Sequence, residues 1–306
     1  MKRLKLAALI VLLSLATHWC AIAQQVPQYT HYMFNNYLVN PALAGTHNFY
    51  QIRSTNRFQW VGVPDAPQTF SLSAYGPHST RSMGFGGSLF NDLTGPTQRL
   101  GGNFSYAYNM QISTEMRVSG GLSLGFLMFR VDGTKLDLGD GSTGVLDPAL
   151  FTNSKSVFTP DASMGVYFYS PFYFVGLAGH QLFGQRLMFI DTLINNSANR
   201  LRQHVMLHGG YLFNINREWQ IEPSLLVKYM PSAPIQIDLN ARMTYRRQFW
   251  FGLTGRWMDG VAILFGYEYD KSYLFGYSFD YSFTGIRRFQ GGSHELMIGI
   301  MFDKLK

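Results

Sequence analysis

The feature that most constrains the fold is a two-residue alternation of apolar and polar side chains over long segments. Across residues 273–283 every second position is Tyr or Phe, and the positions between them include Gly276, Ser278 and Asp280. Residues 219–229 and 235–245 alternate in the same way. Successive side chains of a strand point to opposite faces, so each segment has one apolar and one polar face. The pattern predicts β-strands.

The length and chemistry of these segments favour strands that cross a membrane. A tilted transmembrane strand needs about 9–11 residues, whereas strands of soluble proteins usually have about 5–6. The chain is 16% aromatic and only 14% charged, against about 25% charged in soluble domains. A soluble sandwich would also alternate, but the second face here is small and polar, as in a barrel lumen. We therefore expect an all-β fold, a transmembrane antiparallel outer-membrane β-barrel.

Counting the alternating segments predicts about fourteen strands, an even number typical of bacterial barrels. Their centres lie near residues 55, 71, 86, 103, 122, 165, 177, 208, 224, 241, 253, 265, 278 and 298. The long connections at 131–159, 184–200 and 284–293 then fall on one side. Short turns such as Ser170-Pro171 and Asp270-Lys271 fall on the other. Long outer loops and short periplasmic turns are the expected asymmetry.

Residues 1–23 have the features of a secretory signal peptide. Basic residues at the start precede an apolar run and the small-x-small sequence Ala21-Ile22-Ala23. We expect cleavage near Ala23 and integration into the cell outer membrane. The only cysteine, Cys20, lies in this leader, so the mature chain would have no disulfide or thiolate metal site. The small excess of 25 Lys and Arg over 18 Asp and Glu does not favour a nucleic-acid partner.

Three motifs that suggest site chemistry are better explained by structure. Ser123 occupies a G-x-S-x-G pattern but lies within an alternating strand, not at the sharp turn a nucleophile needs. His204 and His208 share one strand face about 13 Å apart, too far to bind one ion. The acidic, glycine-rich part of loop 131–159 suggests weak calcium binding, but Pro148 stands at the twelfth position, where a calcium loop has glutamate. We expect no enzymatic activity, cofactor or metal.

Two long motifs carry a resemblance to a known family. Residues 28–45 read QYTHYMFNNYLVNPALAG, and residues 57–69 read RFQWVGVPDAPQT. They resemble the Q-aromatic-S/T-x-Y-M/F, N-P-A-x-A-G and R-x-Q-W-x-G-x-P-x-A-P-x-T patterns of the PorP/SprF family, outer-membrane proteins of the type IX secretion system in Bacteroidota. The second block departs from the pattern at Asp65, where glycine is more frequent.

The resemblance implies a non-enzymatic secretion component that works by binding. Its expected partners are outer-membrane lipid, periplasmic ring components or a peptidoglycan-associated linker, and a secreted adhesin or other cargo with a C-terminal sorting domain. Its expected role is protein export, surface display or gliding motility. A passive, porin-like diffusion channel is the alternative, because polar and charged residues of the predicted strands could line a wet lumen.

The two motifs define the candidate site. Residues 24–50 form a non-strand segment before the barrel (residues 51–306), and this segment is either a plug or docking element or only a lead into the first strand. The first outer loop, around Trp60, is either a partner contact or a structural loop folded onto the rim. The candidate partner-binding residues are Tyr32, Asn40, Pro41, Ala42, Gly45, Arg57, Gln59, Trp60, Pro64 and Pro67.

Overall fold

The computed structural model describes residues 26–135, 154–187, 200–231 and 233–303. In these ranges the chain forms strands β1 (Phe49–Phe58), β2 (Gln68–Pro77), β3 (Met83–Thr94), β4 (Thr97–Gln111), β5 (Arg117–Asp132), β6 (Ser154–Tyr169), β7 (Tyr173–His180), β8 (His204–Tyr211), β9 (Phe213–Asn214), β10 (Trp219–Tyr229), β11 (Gln236–Tyr245), β12 (Phe249–Arg256), β13 (Gly260–Tyr269), β14 (Tyr273–Ser282) and β15 (Ser293–Asp303). Five short 3-10 helices are η1 (His31–Met33), η2 (Asn36–Leu38), η3 (Pro41–Leu43), η4 (Gly133–Lys135) and η5 (Gly285–Arg288).

The strands close into an antiparallel barrel. Each strand pairs with its neighbour in sequence, and β1 pairs with β15, with Phe49 opposite Asp303 and Phe58 opposite His294. The two-residue β9 is a continuation of β8 along β10, so fourteen strands form the closed wall. This confirms the predicted fold, and each of the fourteen predicted centres lies in one of these strands.

The alternation in sequence becomes the two faces of the wall. On β5, Leu122 and Leu124 are 60% and 67% exposed on the outside, while Ser123 between them is buried on the inside. The outward apolar band faces lipid. The first residue of β1 and the last residue of β15 lie side by side at one rim of the barrel. This is the periplasmic rim. No helix in the described ranges is long and apolar enough to cross a membrane.

The interior of the barrel contains the hydrophobic core. Residues 26–48, which we call the lumenal segment, precede β1 and lie inside the wall. One cluster joins Met33 to Trp250, Leu264 and Met297 of the wall. Others join Tyr32, Tyr37 and Leu43 to different strands. The core therefore lies between the lumenal segment and the barrel.

Several predictions concern parts of the chain outside the described residues. These are the signal peptide at residues 1–23 with Cys20, and residues 136–153 of the loop for which weak calcium binding was considered.

Candidate functional site

The lumenal segment is surrounded by the wall. Thr30, Asn35, Asn40 and Ala42 are at most 1% exposed. Hydrogen bonds join the segment to strands on every side of the barrel, namely β1, β2, β4, β5, β6, β7, β11, β12, β14 and β15. Buried backbone groups need partners, and the short 3-10 helices of the segment satisfy only part of them internally. The segment therefore crosses the lumen and is hydrogen-bonded to strands around it.

The segment runs from the outer half of the lumen to the periplasmic rim. Thr30 contacts Arg57 and Asp280, which lie near the outer ends of β1 and β14. At the other end, Asn109 near the periplasmic end of β4 donates to the Ala44 carbonyl. The chain then enters β1 at that rim.

At the outer end of the segment, the Glu295 carboxylate of β15 holds the backbone. One carboxylate oxygen accepts from the Thr30 amide at 2.8 Å. The other accepts from the His31 amide at 2.8 Å and lies 2.9 Å from His31 Nδ1. Glu295 and His31 are almost completely buried. A buried carboxylate needs such donors because removal from water is costly.

Two arginines complete what we call the Thr30 charge cluster: Thr30, His31, Arg57, Arg256, Asp280 and Glu295. Arg57 and Arg256 pair with Asp280 at 2.6 and 2.8 Å, and both donate to the Thr30 hydroxyl oxygen. Arg57 also lies 3.2 Å from Glu295. Two cations thus face two carboxylates in a buried site, the condition under which buried charges are tolerated. Of its members, only Arg57 is among the candidate partner-binding residues predicted from the sequence.

Asn40 and Pro41 place the middle of the segment against β6 and β7. The Asn40 side chain accepts from the Ala42 amide at 2.9 Å, which caps η3, and Pro41 occupies the first helical position. The side-chain amide nitrogen of Asn40, Nδ2, donates to the Val166 carbonyl at 3.0 Å and, more weakly, to the Leu177 carbonyl. The side chain therefore shapes the segment and fastens it to the wall.

Glycines in the wall let the segment approach closely. An added Cβ at Gly121 would lie 2.5 Å from the Ala42 backbone, and one at Gly165 would overlap Asn40. Gly45, with a φ of +76°, touches Gly84, where an added Cβ would also overlap backbone. Only glycine combines this φ with so close a contact. The three wall glycines (Gly84, Gly121 and Gly165) carry no signal in a single sequence, because glycine also fits many other strand sites.

Two tyrosines act as buried hydrogen-bonding groups. The Tyr37 hydroxyl lies 2.7 Å from Ser105 Oγ, and its ring stacks on Tyr75 at 4.6 Å. Burial raises the pKa of the Tyr37 phenol to about 12. Burial also raises the pKa of Tyr32, whose hydroxyl accepts from Asn240. Both phenols stay neutral at physiological pH.

The outer loop that contains Trp60 is tied to the loops on either side. The Trp60 amide donates to Ser293 Oγ at 3.0 Å, and Val61 exchanges backbone hydrogen bonds with residues 291 and 292. On the other side, Gly95 donates to the Asp65 carbonyl at 3.0 Å. Asp65 adopts a φ of +55°. This left-handed conformation is the one that glycine favours, and aspartate tolerates it as well.

The predicted site residues fall into two groups. Inside the lumen, bound to the wall or part of it, lie Tyr32, Asn40, Pro41, Ala42, Gly45 and Arg57. At the outer rim lie Gln59, Trp60, Pro64 and Pro67, of which only Pro64 is exposed. The charged partners in β12, β14 and β15 were missed, because nothing in sequence brings residues 280 and 295 next to residue 30.

The other motifs lie on the lumen wall. Ser123, His204 and His208 are all buried and inward-facing. His208 stacks on Tyr167 at 5.6 Å. Across the described residues, no group of three or more His, Cys, Asp or Glu side chains is placed to hold a metal ion.

Comparisons with known proteins agree with this architecture. A family model described as "Type IX secretion system membrane protein PorP/SprF" matches residues 21–300. The toluene transporter TbuX of Ralstonia pickettii is similar in structure, with a TM-score of 0.51 at 10% identity over 86% of this chain and 92% of that one. The CymD monoaromatic hydrocarbon channel gives 0.47 at 11% over 92% and 94%. No curated protein sequence matches.

Proposed function

The chain belongs to the PorP/SprF family of type IX secretion system membrane proteins, and we propose that it serves that system by binding partner proteins, without enzymatic activity. The barrel lies in the outer membrane and presents its outer loops and periplasmic turns on opposite sides. In this proposal the periplasmic turns contact ring components or a peptidoglycan-associated linker. The outer loops contact a secreted adhesin or other cargo with a C-terminal sorting domain, in support of export, surface display or gliding.

The observation that carries the proposal is the lumenal segment, fastened to strands on every side. A diffusion channel needs an open lumen, whereas a scaffold does not. Several of the charged side chains that could line a pore are paired with each other: Arg242 lies 2.5 Å from Glu222, and Lys228 lies 3.1 Å from Asp238. The arrangement supports a closed, rigid barrel whose surfaces bind partners.

The test is affinity purification of the tagged protein from native outer membranes in mild detergent, with the co-purifying proteins identified by mass spectrometry. We expect ring components or a large secreted adhesin. A barrel recovered alone, under conditions that preserve other envelope complexes, together with steady solute conductance in planar bilayers, would favour the porin-like channel.

A second experiment asks whether the two motifs serve export. Trp60→Ala and Asn40→Ala should reduce secretion or adhesin display while the barrel still assembles. Trp257→Ala is the matched control, because Trp257 is 67% exposed on another outer turn and belongs to neither motif. Wild-type export by both test variants would show that the motifs have another role.

A further inference from the structure

A small cavity of about 90 Å³ lies between the lumenal segment and the wall. On the segment side it is lined by Val26, Pro27, Tyr29, Tyr37, Leu38 and Pro41. On the wall side, β3, β4 and β5 contribute apolar residues (Phe90, Phe126 and Leu127) as well as hydroxyl and amide groups, and polar groups of β6, β7 and the residue after β7 complete the lining: Asp161, Ser163, His180 and Gln181. The cavity is independent of the partner contacts proposed above.

Several of the wall groups already have hydrogen-bond partners. Ser88 accepts from Asn103, and Ser105 is bonded to Tyr37. His180 Nε2 is 2.7 Å from the Val39 carbonyl, so it donates there and leaves Nδ1 as an acceptor. The groups that remain available determine what the cavity can bind.

Two oxygen-bearing side chains have unused capacity. Gln181 is 6% exposed, and its Oε1 has no hydrogen-bond donor among the described residues. The Asp161 carboxylate pairs with no Lys or Arg in that part of the chain. The Leu182 amide donates to the Ala162 carbonyl at 3.0 Å. This hydrogen bond holds the backbone next to Gln181 against the backbone next to Asp161.

We propose that this cavity binds a primary ammonium group, with Asp161 as its counter-ion and Gln181 Oε1 as a second acceptor. An ammonium has three N–H donors and a single positive charge, which match one carboxylate surrounded by neutral acceptors. A divalent cation such as Ca²⁺ normally takes 6–8 oxygen ligands, several of them carboxylates. The volume equals about three water molecules at roughly 30 Å³ each, enough for a CH₂–NH₃⁺ head.

The ammonium can come from two sources. One is a diffusible amine or a lysine side chain. The other is the amino terminus of this chain, because Val26 lines the cavity and cleavage near Ala23 would begin the mature chain two residues upstream. In either case the ligand contacts both the lumenal segment and the wall, so it stabilises the closed arrangement by mass action.

The test uses the mature protein, purified from outer membranes in detergent, with methylammonium chloride as the probe and tetramethylammonium chloride at equal ionic strength as the control. With a diffusible ligand, methylammonium should raise the midpoint of thermal unfolding saturably in the wild type and in Asp132→Asn, which removes an exposed carboxylate on β5; with the amino terminus already bound, neither protein should respond. Asp161→Asn should lose this response. Equal shifts with tetramethylammonium, or an unchanged response in Asp161→Asn, would show a general salt effect or bound water only and overturn the proposal.

Carbodiimide coupling separates the two sources and does not depend on a variant that folds. Without added amine, a link between Asp161 and the amino-terminal peptide would identify the chain itself as the ligand. With methylamine, an adduct on Asp161 that saturates with concentration, while adducts on Asp132 rise linearly, would identify a diffusible ligand. Reaction at Asp132 with no saturable reaction or internal link at Asp161 would refute the site.

Discussion

Replacing Gly121 with alanine should loosen the lumenal segment and open the barrel. The new Cβ would lie 2.5 Å from the Cα and N of Ala42 and 2.7 Å from the Pro41 carbonyl carbon. Carbon atoms in contact are normally about 3.5–4.0 Å apart. All three neighbours are backbone atoms, so no side-chain rotation relieves the overlap. The segment has to move away from β5 by about 1 Å, or the strand has to bend.

The cost follows from the size of the overlap. An extra methyl group in a well-packed interior usually costs about 1–3 kcal/mol. The displacement also strains the 2.6 Å hydrogen bond from Ser119 to the Ala42 carbonyl, at about 0.5–1.5 kcal/mol. A change of 1–3 kcal/mol in the free energy of segment docking shifts the ratio of open to closed barrels by roughly 5–150-fold.

The assay is single-channel recording in planar bilayers, combined with limited proteolysis of the lumenal segment in detergent. Gly120→Ala is the matched control, because it adds the same methyl group to the neighbouring residue, where nothing lies within 4 Å. We expect more frequent openings and faster cleavage in Gly121→Ala only. If an assembled Gly121→Ala barrel is as closed and as resistant as the control, the segment does not seal the lumen as argued.

Two further variants probe the fastening of the segment. Glu295→Gln removes one carboxylate from the Thr30 charge cluster and leaves Arg57 and Arg256 with Asp280 as their only carboxylate. It should therefore lower the free energy of unfolding, measured by denaturant titration, by about 3–5 kcal/mol. A change below about 1 kcal/mol would contradict this expectation. Asn40→Asp keeps the acceptor for the helix cap but loses the donor to the wall. Its second carboxylate oxygen would face the Val166 carbonyl in a fully buried site, so it should be destabilised at least as much as Asn40→Ala, which loses about 1–3 kcal/mol. Wild-type stability of Asn40→Asp would show that the contact with Val166 contributes nothing.

The wall of the barrel could be predicted from the sequence because its determinant is local. In β5, the alternation of Leu122, Ser123 and Leu124 is enough to assign inward and outward faces, whatever the rest of the chain does. Counting such segments then gives the number of strands. The breaks between them give the long and short connections.

The path of the lumenal segment could not be predicted because its determinants are distant. Thr30 and Glu295 are 265 residues apart and meet only once the barrel is closed. The segment has no periodic pattern, since its three 3-10 helices are short and all their faces meet protein. In the sequence, Glu295 is only one more polar residue on the inward face of β15, and nothing marks it as the partner of Thr30.

The position of the Thr30 charge cluster has a consequence for biogenesis. Its protein groups come from the start of the chain, from β1, and from the strands β12, β14 and β15 that are synthesised last. The amino-terminal residues are therefore exported first, but the wall residues that bind Thr30 come together only after the last hairpin has formed. Long-range pairing of this kind is slow to form. Insertion intermediates should accordingly carry an exposed amino-terminal region, and its protection from protease should coincide with closure of the β1–β15 seam.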